Sequence, residues 1–193
     1  MPSPNVSRLE NPSLAAALLL FLVTTASPAV ASVPDNETVY RVSKKLCLNC
    51  VGESLQFLFY HNLARAYKLE PPLVWDPDLE HYARWWAGQR AATDCEPRHS
   101  FPEDDFKLGE NIFWGSGTSW TPGDAVKAWV DEGRYYDYDT NSCEDGKVCG
   151  HYTQVVWRKT RRIGCARAVC ADGDVFMTCN YDPCGNYVGE RPY

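Results

Sequence analysis

The chain has 193 residues, 9 of them cysteine and 7 tryptophan, with a formal net charge of −6. An acidic balance gives it no electrostatic reason to seek a nucleic-acid backbone. Its length suits one domain, and no internal repeat or low-complexity tract divides it.

Residues 1–31 read as a secretory signal peptide. Arg8 precedes an apolar run from Leu14 to Ala26, which is shorter than the about 20 residues a membrane span needs. Ala29-Val30-Ala31 then offers a small-x-small cleavage site. A signal anchor is the competing reading, and no second apolar segment follows to support it. Export predicts an oxidising compartment in which most cysteines are paired. Residues 32–52 read as an irregular lead-in with a glycosylation sequon at Asn36-Glu37-Thr38. Residues 53–193 read as the folded domain.

Leu55, Leu58, Phe59, Asn62, Leu63, Ala66 and Leu69 recur at helical spacing and predict an amphipathic helix that ends before Pro71-Pro72. Asp76-Pro77 opens a second helix, with Asp76 as cap and Leu79, Tyr82, Ala83, Trp86 and Ala87 as its buried stripe. Thr121-Pro122, with Asp124 three residues after the threonine, opens a third, whose apolar face is Ala125, Val126, Trp129 and Val130. Three later segments, Tyr152 to Trp157, Ile163 to Cys170 and Val175 to Tyr181, are rich in β-branched, aromatic and cysteine residues and read as strands. Asp172-Gly173-Asp174 predicts a hairpin between the last two. Helices first and strands later predict an α+β domain in which helices cover a small antiparallel sheet.

The motifs are more specific than the periodicity. Residues 149–157 read CGHYTQVVW and residues 179–193 read CNYDPCGNYVGERPY. A GEN segment lies at Gly109 to Asn111, a histidine–serine pair at His99-Ser100, and His61-Asn62 is followed by Arg65. Over about residues 53–193 the chain resembles the CAP superfamily of cysteine-rich secretory proteins, antigen 5 and pathogenesis-related 1 proteins. It is most similar to the plant pathogenesis-related 1 branch, because it carries a GERPY-like tail without an added cysteine-rich domain.

The resemblance implies a three-layer α-β-α sandwich and a cavity lined by His99, Glu110, Glu132 and His151. It also implies three disulfides, Cys95–Cys170, Cys143–Cys149 and Cys165–Cys179. The residues support part of this. Glu132 lies three after Trp129 and seven after Ala125, on the apolar helix face, where a carboxylate needs a partner. A histidine can supply one. Two His and two Glu could hold a divalent metal such as zinc, although their spacing is not that of a compact metal motif. The same four residues could equally form a structural hydrogen-bond network. A hydrolytic centre is the alternative of a different class; Ser100 adjoins His99, but no G-x-S-x-G elbow is present. His61 reads as structural and His81 as a solvated helix residue.

Cys47, Cys50 and Cys184 exceed the pattern. The reading adopted is a fourth bridge from Cys184 to Cys47 or Cys50. The resemblance further implies a secreted, apoplastic defence protein, not an enzyme, that binds sterol or another lipid. The aromatic segment Ile112-Phe113-Trp114, with Trp120 and the Gly115 to Gly117 loop, is expected to cover an apolar groove. Residues 183–193 resemble a peptide released between Asp182 and Pro183 to act on a receptor, with Cys184 in a position to retain it.

Overall fold

The computed structural model describes residues 52–101 and 107–193. The leader, the sequon at Asn36, and Cys47 and Cys50 lie outside the described residues. Among the described residues no helix is long and apolar enough to cross a membrane.

Helix α1 (Glu53–Tyr67) leads through a short connection to β1 (Val74–Trp75). Helix α2 (Pro77–Ala91) begins where the sequence places it: the Asp76 side chain accepts hydrogen bonds from the amides of Asp78 and Leu79, and proline fills the first turn. Strand β2 (Gly109–Gly115) follows, then α3 (Pro122–Asp131). A capping box starts α3, with Thr121 Oγ1 accepting from the Asp124 amide while the Asp124 carboxylate accepts from the Thr121 amide. A 3₁₀ turn (Glu132–Tyr135) continues α3 into the small β3–β4 ribbon (Tyr136–Asp137 and Ser142–Cys143). Helix α4 (Gly150–Val155), β5 (Arg162–Val169) and β6 (Val175–Asp182) complete the order.

The main sheet runs β1-β5-β6-β2. β5 and β6 form the antiparallel hairpin expected from Asp172-Gly173-Asp174, and β2 lies antiparallel on the other side of β6. The two-residue β1 pairs parallel to β5, so the sheet is mixed and not purely antiparallel. One sheet face packs Ile163, Cys165, Val175, Met177, Cys179 and Tyr181 against α1, α3 and α4. The other packs Ala166 and Phe176 against Ala83 and Ala87 of α2. This is a three-layer α-β-α arrangement, and it accounts for the unbroken burial of β6 from Val175 to Tyr181 on both faces. α2 rides directly on β5: a Cβ on Gly164 would lie 2.1 Å from the Glu80 amide nitrogen, so only glycine fits there.

Disulfides join Cys95 to Cys170, Cys143 to Cys149 and Cys165 to Cys179. The first ties the end of α2 to the end of β5 across a sequence separation of 75. Each contributes about 2–4 kcal/mol, most for the longest loop.

Three sequence expectations are corrected. First, Tyr152 to Trp157 is not a strand; its residues fall in α4 and the turn after it. The Val155-Val156 pair favours a strand, but Glu132 Oε2 accepts from the amides of His151 and Tyr152, at 3.0 and 3.3 Å. It satisfies donors that a helix start leaves open. Second, α1 is turned the other way. It buries Gln56, Phe57, Tyr60, His61, Ala64 and Arg65, and leaves Leu55, Phe59 and Leu69 exposed. Apolar periodicity cannot register that His61 and Arg65 are the residues with internal partners. Third, Ile112 to Trp114 belong to β2 and not to the edge of a mobile cover. The loop after β2 is tied down: Gly117 donates to Asp174, Arg167 donates to the carbonyls of Thr118 and Trp120, and Trp120 Nε1 donates to Ser116 O.

Candidate functional site

The four histidine and glutamate residues fall into two pairs. His99 Nδ1 lies 2.9 Å from Glu110 Oε1, and His151 Nδ1 lies 2.6 Å from Glu132 Oε1. Glu110 sits near the start of β2, paired across the sheet with Asn180. Glu132 caps the C-terminus of α3 and begins the 3₁₀ turn, and His151 is the second residue of α4. The pairs are wired to each other through Asn111, which follows Glu110 and donates to the His151 carbonyl at 3.0 Å.

Glu110 is the buried member of its pair, and all its acceptor capacity is used. Oε1 accepts from His99 and from the Ser100 amide, while Oε2 accepts from Ser100 Oγ at 2.6 Å and from Asn180 Nδ2 at 3.2 Å. Burial alone would raise its pKa; the hydrogen bonds from His99, Ser100 and Asn180 outweigh that and hold the carboxyl below its ordinary range. Glu132 is similarly committed, to one imidazole and two backbone amides.

These contacts define what the site can bind. A histidine held at Nδ1 by a carboxylate presents Nε2, the arrangement found behind metal-bound imidazoles. Each pair therefore leaves one imidazole nitrogen with the chemistry of a metal ligand, supported by its carboxylate. The residues do not fit a ligand set of all four, because both carboxylates are already engaged. Among the described residues the one group of three His, Cys, Asp or Glu ligand atoms within 4.8 Å is Cys95, Cys170 and Asp172, whose sulfurs are spent in a disulfide.

His99 and Glu110 line a cavity of about 460 Å³ with Leu108, Gly109, Gln154 and the tail residues Cys184 to Val188. None of Ile112, Phe113, Trp114 or Trp120 lines it. Sequence reasoning missed Gln154, which organises this hollow. It is buried on α4, accepts from the Gly185 amide at 2.9 Å and donates to Thr160 Oγ1. A Cβ on Gly109 would lie 2.2 Å from Gln154 Oε1, so the glycine of GEN makes room for the glutamine of HYTQ. The presence of both in the quoted motifs was the available signal.

The tail is held along its length. Thr160 Oγ1 donates to Pro183 O, Asn186 exchanges hydrogen bonds with Thr153 and the Gly150 carbonyl, and Lys159 pairs with Glu190. The Arg158 amide donates to Pro192 O, and Tyr138 OH donates to Tyr193 O. The Asp182 carboxylate pairs with Arg162, which also holds Asp76, and the Asp182 carbonyl accepts from the Arg161 amide. Among the described residues Cys184 has no disulfide partner, and its sulfur lies 3.1 Å from Tyr187 OH. His61 lies apart from the pairs and is fully buried, and His81 is exposed on α2.

Comparison with known proteins agrees with this architecture. The family model described as the cysteine-rich secretory protein family, CAP, matches residues 58–181. The chain is 51% identical to a pathogenesis-related protein PR-1 of Medicago truncatula over 92% of this chain and 95% of that one. It is 45% identical to the pathogenesis-related protein PRMS of Zea mays over 96% of this chain and all of the relative. The solved structure of Schistosoma mansoni venom allergen-like protein 4 is 26% identical, with a TM-score of 0.58, over 73% of this chain and 93% of that one. That of NaASP2 with Zn2+ is 26% identical, with a TM-score of 0.57, over 72% and 83% respectively. Two separately held histidine–carboxylate pairs, three disulfides, the layered fold and these similarities together show that the chain belongs to the CAP family, as a pathogenesis-related protein of the PR-1 type.

Proposed function

We propose that this pathogenesis-related protein acts outside the cell, in the apoplast, by binding a small amphipathic lipid such as a sterol. The observation that carries the reading is the cavity of about 460 Å³ beneath residues 184–188. Leu108, Tyr187 and Val188 give it apolar walls, and His99 with Glu110 gives it a polar end. A hollow of that size with a few convergent polar groups suits a ligand that is mostly apolar with one hydrogen-bonding head. The hydrolase alternative is less well supported. The Ser100 hydroxyl donates to a carboxylate held below its ordinary pKa, which makes a poor general base.

Zinc is a compatible addition, with His99 and His151 as the residues that would hold it. The relative NaASP2 was solved with Zn2+. Its contribution here would be to fix the two imidazoles in place. Titration with a fluorescent sterol, run with and without zinc, tests both parts. Leu108→Asp and Val188→Asp are each expected to weaken sterol binding by about tenfold or more, the cost of placing a charge against an apolar ligand. Trp114→Ala is expected to leave it unchanged. His99→Gln with His151→Gln should remove the heat of zinc binding in calorimetry. Equal sterol affinity across the cavity variants rejects the reading.

A second reading concerns residues 183–193 as a defence peptide with its own receptor. The Asp182–Pro183 bond lies at the end of β6, and the hydrogen bonds along residues 183–193 would keep a cut tail in place. A bridge from Cys184 to Cys47 or Cys50 would retain it covalently. Mass spectrometry of the secreted protein under non-reducing conditions should show the fragment released only after denaturation, and after reduction as well if the bridge exists. A fragment found free in native fluid would contradict this retention.

A further inference from the structure

A second hollow, of about 310 Å³, lies between the β3–β4 ribbon, α4 and the tail. It shares Asn186 and Tyr187 with the cavity at His99 and Glu110, and the rest of its wall is separate. Trp157 lines it. That side chain is 2% exposed, and its Nε1 is buried with no hydrogen-bond partner among the described residues. An orphaned buried donor costs about 1–3 kcal/mol, and a buried tryptophan usually finds an acceptor. Trp75, Trp86, Trp120 and Trp129 each have one.

The chemistry of the wall selects the ligand. No lysine, arginine or histidine lines the hollow. Its one carboxylate, Glu190, is neutralised by Lys159 through Oε2 at 2.7 Å, which leaves Oε1 as an acceptor. The wall therefore offers neither an anion nor a cation a net attraction. Trp157 calls for an acceptor and Glu190 for a donor. A hydroxyl is both, whereas a carbonyl only accepts and an ammonium only donates. The Tyr187 ring, 50% exposed, lies 6.3 Å from the Trp157 ring and gives the hollow an open aromatic face. Such a face takes the C–H side of a sugar ring, whose hydrogens meet the negative π surface. We infer that this hollow binds a neutral saccharide, with Trp157 donating to one hydroxyl and Glu190 accepting from another. Its volume is at the small end for ligand sites and suits a mono- or disaccharide. Ser142, Tyr187 and Glu190 are exposed at its rim, so a longer chain could leave it without obstruction.

Titration of the nitrogen-labelled protein with neutral disaccharides, followed by the indole resonances of its tryptophans, tests the inference. Cellobiose stands for a glucan and mannobiose for an asparagine-linked glycan, so the one that acts indicates the source. At least one should move the Trp157 indole proton, saturating in the millimolar range, while the exposed Trp114 indole stays in place. Galacturonate, which is charged, should act at least about fivefold more weakly. Ser142→Trp fills the hollow from its exposed rim and should weaken the response by about tenfold or more. Glu190→Ala removes the acceptor and should weaken it about fivefold; it decides the matter if the first variant does not fold. The readout uses no sterol, so the outcome is independent of the lipid reading. No movement of the Trp157 signal with either disaccharide overturns the inference. So does equal movement of all the indoles, an equal response to galacturonate, or a folded variant that responds like the wild type.

Discussion

Replacing Arg65 with methionine should destabilise the domain by about 3–5 kcal/mol, the range for removing one member of a buried charged network. Arg65 is fully buried on α1. Its guanidinium donates to Pro71 O at 2.8 Å, Val155 O at 3.0 Å, Trp157 O at 2.8 Å and Thr160 O at 3.3 Å. Those carbonyls belong to the chain after α1, to the end of α4 and to the turn before β5. One side chain thus joins three segments that are far apart in sequence. Burial lowers its pKa to about 10, still well above physiological pH, so it remains charged. Methionine keeps the volume but supplies no donor, and each orphaned buried carbonyl costs on the order of 1–3 kcal/mol. The melting temperature should fall by roughly 10–15 °C in calorimetry. Arg84→Met is the control: Arg84 pairs with Glu80 at the surface, and its loss should stay within about 0.5 kcal/mol. A small effect at Arg65, equal to that at Arg84, would show that the network is not cooperative. Arg65→Lys should recover only part of the loss, because an ammonium cannot reproduce the planar fork of donors.

The prediction at Arg65 also shows where the sequence was readable. Helix starts were legible because capping is local: Asp76-Pro77 and Thr121-Pro122 with Asp124 need no knowledge of the rest of the chain. The β5–β6 hairpin was legible for the same reason, through its turn and its β-branched flanks. The face of α1 was not. Counting apolar residues selects the Leu55–Phe59–Leu69 side, but the core takes the side with Gln56, His61 and Arg65. His61 and Arg65 are tolerated inside only because partners arrive from residues 71 and 155–181, which periodicity does not see. Helix α4 was misread for a related reason. Its strand-favouring valines are overruled by a carboxylate nineteen residues upstream, Glu132, which meets the first amides of the helix.

The candidate site shows the same division. His99, Glu110, Glu132 and His151 could be named through the resemblance, and each is held by the structure against a partner of opposite chemistry. What could not be read was that they form two pairs and that Glu110 is saturated with donors while Glu132 is engaged by three. Saturation is a property of geometry: Glu110 gains Asn180 from β6 and Ser100 from the preceding loop, and no spacing in the chain announces either. The apolar groove was expected elsewhere for a comparable reason. Conspicuous aromatics at 112–120 drew attention to the β2 loop, whereas the hollow lies between Leu108, Gln154 and the tail.

Acid should weaken the fold through His61 before it reaches most carboxylates. The imidazole is fully buried, with Nδ1 2.8 Å from Phe57 O and Nε2 2.7 Å from Tyr181 OH. Burial pushes the Tyr181 phenol well up in pKa, so its hydroxyl keeps its proton and donates to Nε2, while the Nδ1 proton goes to the Phe57 carbonyl. The neutral ring satisfies both contacts. Burial lowers the His61 pKa from 6.5 to about 4. Below pH 6.5 the unfolded chain therefore binds a proton that the native state refuses. Stability is fully present above about pH 6.5, falls as pH decreases, and this contribution is lost below about pH 4. The difference amounts to about 3 kcal/mol at full extent. The carboxyls of Asp76, Glu80 and Glu110 are held below their ordinary values and also lose stability in acid, but only as pH drops below about 4.5. Between pH 7.5 and 4.5 the melting temperature of the wild type should drop by roughly 5–10 °C. His61→Gln should start lower and lose most of that slope. Nitrogen chemical shifts give a direct check: the His61 ring should remain neutral at pH 5, where a solvated histidine is protonated. A ring that titrates near 6.5 in the folded protein would remove the basis for this pH dependence.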